Sequence, residues 1–129
     1  MELQNYVTGI QHIGLPTNSM EKTIEFYTGL GFEVAHRTVS PSGNKIAFLT
    51  LKNLTVETFE NHAAPGVPGA INHVCLDVTD VDAAFQAAKE KNYNIKETEV
   101  KFLPFWENGV KFFNIVGPNN ETVEFCQKL

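Results

Sequence analysis

Arginine is nearly absent: Arg37 stands alone among ten basic residues, against fifteen acidic ones, for a formal charge of −5. So few cations leave no footprint for a nucleic-acid backbone or an anionic membrane surface, and no multi-arginine clamp within one chain. Cysteine is scarce too, and Cys75 and Cys126 are too few for a disulfide-built scaffold. No apolar run approaches the roughly 18 residues of a membrane span. The opening residues MELQNYVTG lack the basic and apolar stretches of a secretory leader. The expectation is a soluble, mildly acidic, cytoplasmic protein with neither nucleic-acid nor membrane partners. Apolar residues are plentiful: 43% of the 129 residues are hydrophobic and ten are Phe, enough for a packed core.

The chain repeats itself. Ile10-Gln11-His12-Ile13-Gly14-Leu15 returns 61 residues later as Ile71-Asn72-His73-Val74-Cys75-Leu76. Asn53-Leu54-Thr55-Val56-Glu57 returns at offset 67 as Asn120-Glu121-Thr122-Val123-Glu124, so one connection is longer in the second copy. Between the copies, residues 62–70 are rich in Pro and Gly and read as a linker. Module one spans about 8–61 and module two about 71–128, within a single domain covering 1–129. Modules of about 60 residues bury too little surface to be comfortable alone, so they should share a core.

Each module has one element order. Residues 8–16 and 70–78 are short, apolar and β-compatible, which places His12 and His73 mid-strand. Asn18 with Glu21 suggests a capping box ahead of a Met20, Ile24, Tyr27 stripe. Asp80 is the expected cap of the second helix, with Val81, Phe85 and Ala88 on one face. Gly29 and Gly31 suit the first helix exit and Asn92 the second. Strands follow at about 32–40, 45–52 and 54–61, then at about 94–105, 110–117 and 121–127. Asn108-Gly109 is a hairpin signal. The order is β-α-β-β-β twice, an α+β fold.

The repeat weighs residues against each other. His12 recurs as His73, and Glu57 as Glu124. Period-two alternation puts Thr55, Glu57 and Phe59 on one face, and Thr122, Glu124 and Cys126 on its equivalent. A carboxylate among core-forming residues is costly unless paired or coordinated. Two imidazoles and two carboxylates suit one divalent ion, whose charge the carboxylates neutralise. Cys75 and Cys126, each two positions after a proposed ligand, read as small buried apolar fillers. Phe102, Phe105 and Trp106, in the longer module-two connection, are candidate walls of a substrate pocket. His36 and His62 have no counterpart in the other module and read as non-ligands.

At these residues the chain resembles the vicinal oxygen chelate superfamily, which includes glyoxalases and bleomycin-resistance proteins. The likeness rests on Gln11-His12-Ile13, Glu25-Phe26-Tyr27-Thr28-Gly29-Leu30-Gly31-Phe32, Asn72-His73-Val74 and residues 117–125, in order, and covers about 8–128. It implies two βαβββ modules, each a curled mixed sheet with its first strand beside its fourth, together enclosing a metal-binding cup. The order His12, Glu57, His73, Glu124 resembles the ligand set of glyoxalase I. That branch implies one divalent ion (Ni²⁺, Co²⁺ or Zn²⁺), a small-molecule substrate and a homodimer, with modules pairing within or between chains. It also implies a lyase or isomerase that carries a thiol hemithioacetal of a 2-oxoaldehyde, of methylglyoxal type, through an enediolate. Glu124 would be the base and Glu57 its symmetric counterpart. Asn61 matches a glutathione-contacting Asn of the branch, whereas Pro16 stands where the branch has an Arg for the glutathione carboxylate. Another thiol adduct, or a different α-hydroxy carbonyl, is therefore expected. Two other readings belong to the same superfamily: a ligand-sequestering protein without chemistry, and a metal-dependent epimerase.

Overall fold

A computed structural model describes residues 2–129. The chain divides into two compact units, Met1–Ala64 and Pro65–Leu129, each with its own sheet and helix. After a 3-10 turn at Leu3–Tyr6, unit one runs β1 (Ile13–Thr17), α1 (Met20–Gly29), β2 (Glu33–Val39), β3 (Lys45–Leu51) and β4 (Leu54–Glu60). Its sheet order is β1-β4-β3-β2, with β1 parallel to β4 and the other pairs antiparallel. Unit two runs β5 (His73–Asp77), α2 (Val81–Glu90), β6 (Asn94–Ile95), β7 (Lys101–Leu103), β8 (Val110–Val116) and β9 (Thr122–Lys128). Its order is β5-β9-β8-β6, with β7 also on β8 and β5 parallel to β9. Both sheets are mixed and open, the α+β pattern expected, with the first strand of each unit beside its last.

Three local expectations need correction. Ser19 rather than Asn18 caps α1, its hydroxyl accepting from the Lys22 N–H at 3.3 Å. Asn18 instead exchanges two hydrogen bonds with the Ala64 backbone, at 3.1 and 3.3 Å. His12 lies one residue before β1 and His73 opens β5, so neither is mid-strand. The strand expected at 94–105 is broken into β6 and β7. There the Glu97 carboxylate accepts from the Asn114 backbone N–H at 2.7 Å and from its side-chain amide at 2.8 Å. A side chain satisfies β8 where a neighbouring strand would otherwise do so.

Other devices follow the sequence. Asp80 caps α2, accepting from the Ala83 N–H at 3.0 Å. Gly31 and Asn92 leave the helices at φ +106° and +60°, the left-handed region these residues tolerate. One device repeats without having been foreseen. Glu60 Oε2 accepts from the Met20 N–H at 2.6 Å, and Gln127 Oε1 accepts from the Val81 N–H at 2.9 Å. The last strand of each unit thus satisfies the first N–H of its helix. In unit one the Glu60 charge also complements the positive end of the helix dipole.

One face of each sheet is buried under its helix. In unit one this core holds Met20, Tyr27, Phe32, Ala47, Leu49, Val56 and Thr58. In unit two Phe113 is fully buried, stacked on Phe125 with centroids 4.9 Å apart and edge-on to Phe85 at 5.2 Å. Thr58 Oγ1 is buried without a hydrogen-bond partner, and an unpaired buried hydroxyl costs about 1–3 kcal/mol. Thr58→Val is therefore expected to raise stability by about 1 kcal/mol. A lower Tm for this variant in calorimetry would contradict that account.

Candidate metal centre

The opposite face of each sheet carries the candidate site residues, because alternation sends every second strand residue away from the helix. In unit two that face presents His73, Cys75, Thr122, Glu124 and Cys126 from the parallel strands β5 and β9. Cys75 is in register with Glu124, and Asn114 of β8 lies on the other side of that carboxylate. These residues border a cavity of about 500 Å³ whose other walls include Lys96, Leu103, Phe105, Trp106 and Phe112.

His73 and Glu124 are brought together. Nε2 of the imidazole lies 3.1 Å from Glu124 Oε1. On the far side of the ring, Nδ1 lies 3.0 Å from Asn72 Oδ1. An amide oxygen only accepts, so Nδ1 donates to it, which leaves Nε2 as the ring nitrogen that faces Glu124 and the cavity. The donors fit a divalent ion: at bonds of about 2.1 Å, adjacent ligands of an octahedron stand about 3.0 Å apart. The arrangement repeats in unit one, where His12 Nδ1 lies 2.9 Å from Gln11 Oε1. Gln11 and Asn72 are thus orienting partners of the kind that fix a ligating imidazole. The repeat itself carried that signal, since each amide residue immediately precedes its histidine.

Unit one is less tightly drawn. Glu57 is half-buried on the open face of β4, in register with Gly14 and Phe48. His12 is exposed and packs edge-on to the Phe48 ring at 5.9 Å. Among the described residues His12 and Glu57 form no ion pair. The His36 ring also lies near the Phe48 ring, tilted at 6.0 Å, while His62 pairs with Glu60 at 3.4 Å.

The remaining candidates separate. Phe105 and Trp106 line the unit-two cavity, whereas Phe102 is absent from its lining and stands over Gly109. Trp106 holds φ at +60°, uncommon for so bulky a residue, with Lys128 Nζ 4.0 Å above its ring. Asn61 is exposed after β4, and its side-chain oxygen accepts from the Ala63 N–H at 3.0 Å. Lys96 has no distinguishing sequence signal, yet it brings a cation to the cavity and donates to Thr122 Oγ1 at 2.7 Å.

The cysteines are not buried fillers. Cys75 is exposed and Cys126 half-buried, because they sit on the face that α2 does not cover. Partial withdrawal from water pushes the Cys75 thiol up to about 12, and the Glu124 charge, then Cys126, add to the rise. Cys126 is raised by burial first and Glu124 second. An ordinary thiol of pKa about 8.5 is roughly a quarter ionised at pH 8, and Cys75 would be ionised only to about one part in 10⁴. Greater intrinsic nucleophilicity restores part of that loss, so alkylation of Cys75 at pH 8 is expected to run at least about tenfold slower than that of free cysteine. Equal rates by mass spectrometry would refute the desolvated thiol.

The chain is similar to an uncharacterised protein, YwbC, of Bacillus subtilis (strain 168), at 27% identity over 92% of this chain and 97% of that one. Among solved structures it resembles a glyoxalase family protein from Enterococcus faecalis, with a TM-score of 0.80, 20% identity and 94% and 98% of the two chains covered. The fosfomycin resistance protein FosX of Listeria monocytogenes, complexed with Mn(II) and sulfate, matches at TM-score 0.70 and 15% identity over 95% and 94%. A glyoxalase I mutant from Zea mays matches at 0.73 and 19% over 91% of this chain and 43% of the maize chain. At these identities the structural likeness is one of fold. The family model for the Glyoxalase/Bleomycin resistance protein/Dioxygenase superfamily matches residues 9–125, most of the chain, and the chain belongs to that superfamily.

Proposed function

We propose that this protein is a metal-dependent lyase or isomerase of glyoxalase type, acting on the thiol hemithioacetal of a 2-oxoaldehyde. The observation that carries the reading is the His73–Glu124 pair, 3.1 Å apart beside an aromatic-walled cavity, with its imidazole oriented by Asn72. His12 and Glu57 complete the donor set for one divalent ion, Ni²⁺, Co²⁺ or Zn²⁺, with the modules paired in one chain or across a homodimer. Such an ion supplies an electrophile for the two adjacent oxygens of the substrate. The chain's own residues do the rest. Glu124, through a carboxylate oxygen, takes the carbon-bound proton and returns it to the neighbouring carbon, with Glu57 as its counterpart. Phe105, Trp106 and Phe112 exclude water from the reacting carbons, and Lys96 Nζ receives a substrate anion. Asn61 contributes its amide nitrogen from unit one, and Phe102 shapes the loop that carries Phe105 and Trp106. With Pro16 in β1 and no arginine there, the glutathione adduct is expected to turn over poorly.

The decisive experiment is elemental analysis of the purified protein followed by assays of methylglyoxal with several thiols. Turnover that disappears on chelation and returns with Ni²⁺ or Co²⁺ supports the reading. Tight ligand binding without turnover under any metal would favour the sequestering protein, a reading that the apolar walls Leu103, Phe105, Trp106 and Phe112 also support. Chelation is further expected to lower the Tm, since an ion at a hundredfold excess over Kd stabilises the folded state by about 2.7 kcal/mol. An unchanged Tm would count against a structural hold on the ion.

A further inference from the structure

Two donors on β5 and two on β9 share the open face of unit two at i, i+2 spacing: His73 and Cys75, Glu124 and Cys126. Ligand atoms of Cys75, Glu124 and Cys126 all lie within 4.8 Å of one another. Glu124 is also 3.1 Å from His73 Nε2, the nitrogen left free by Asn72. Donors around a tetrahedral zinc, with bonds of about 2.0–2.3 Å, stand roughly 3.3–3.8 Å apart, so small rotations bring the two sulfurs and Glu124 onto one ion, and His73 joins through its contact with Glu124. Two sulfurs, one carboxylate and one imidazole form a softer donor set than the His and Glu ligands considered above, and thiolates select soft or borderline cations.

We propose that Cys75, Cys126 and Glu124, with His73 as fourth donor, bind a thiophilic divalent cation of the Zn²⁺ or Cd²⁺ class within unit two alone. The two thiols each release one proton to solvent as their sulfurs ligate, no electron changes hands, and the resulting charges of −3 face an ion of +2. The site needs nothing from His12 or Glu57. Because it uses Glu124, occupancy by a thiophilic ion and use of Glu124 as a base exclude each other, so such ions should inhibit the proposed isomerisation.

Cadmium titration of the reduced, metal-free full chain tests this, followed by the ultraviolet thiolate-to-cadmium charge-transfer band. One Cd²⁺ per chain is expected, with the band unaffected by dilution. Cys75→Ser and Cys126→Ser should each weaken binding by more than the roughly 10–100-fold that an orienting outer partner is worth. His12→Ala should leave band and affinity unchanged, which separates this site from the four-ligand centre. Wild-type protein offers a second readout, since bound Cd²⁺ should protect both thiols from alkylation. Cadmium binding without the band, a band dependent on His12, or a band that vanishes on dilution as a bridge between chains does would each overturn the proposal.

Discussion

Glu124→Gln is expected to lower turnover by about 10²–10⁴-fold, the range typical for removing a positioned general base. The substitution is nearly isosteric, and Glu124 is only half-buried on the open face, so the packing of Val123 and Phe125 against α2 should persist. What is lost is chemical. The amide oxygen cannot take a carbon-bound proton, and the donor set loses one negative charge, which weakens its hold on a divalent ion. The comparison with Glu57→Gln identifies the base: the variant whose activity stays low at saturating metal has lost the proton acceptor. Unchanged kcat in Glu124→Gln, with intact circular dichroism, would remove Glu124 from the reaction.

Phe113→Ala carries the largest expected cost in stability. The ring is fully buried between Phe85 and Phe125, and truncating such a phenylalanine costs about 3–5 kcal/mol from lost transfer energy and the cavity left behind. Domains of this size are stable by about 5–15 kcal/mol, so the variant loses a large share of its margin. A fall in Tm of roughly 10–20 °C is expected. Hydrogen exchange should accelerate first in β8, β9 and α2, where the ring packs. A fall below about 1 kcal/mol would mean that neighbouring side chains collapse into the space.

Much of the fold was legible because it is governed by local rules applied twice. Period-two alternation grouped Glu57 with Thr55 and Phe59, and Glu124 with Thr122 and Cys126, because the pleat leaves a strand residue only two directions. That these faces lie away from the helices, with Val56, Thr58 and Val123 buried instead, came from the folded sheets. Asp80, Gly31 and Asn92 were readable because cap and left-handed positions accept few residue types. The misreadings have the opposite character. Ser19 displaced Asn18 as cap because Asn18 had a competing partner, the Ala64 backbone 46 residues away. The strand at 94–105 broke because Glu97 satisfies Asn114 across the sheet. Propensity carries no record of such distant hydrogen bonds.

The candidate site divides in the same way. The sequence by itself determined the repeat, the βαβββ order, and the pairing of His12 with His73 and of Glu57 with Glu124, since these follow from recurrence and alternation along the chain. Tertiary structure decided that His73 and Glu124 meet at 3.1 Å, that Asn72 fixes the imidazole, and that Lys96 reaches the cavity. It also made the two cysteines accessible neighbours of Glu124 instead of core fillers. The reason is the parallel pairing of β5 with β9. That pairing sets residues about fifty positions apart in one register, and only the folded sheet brings donors so distant in sequence within reach of one ion.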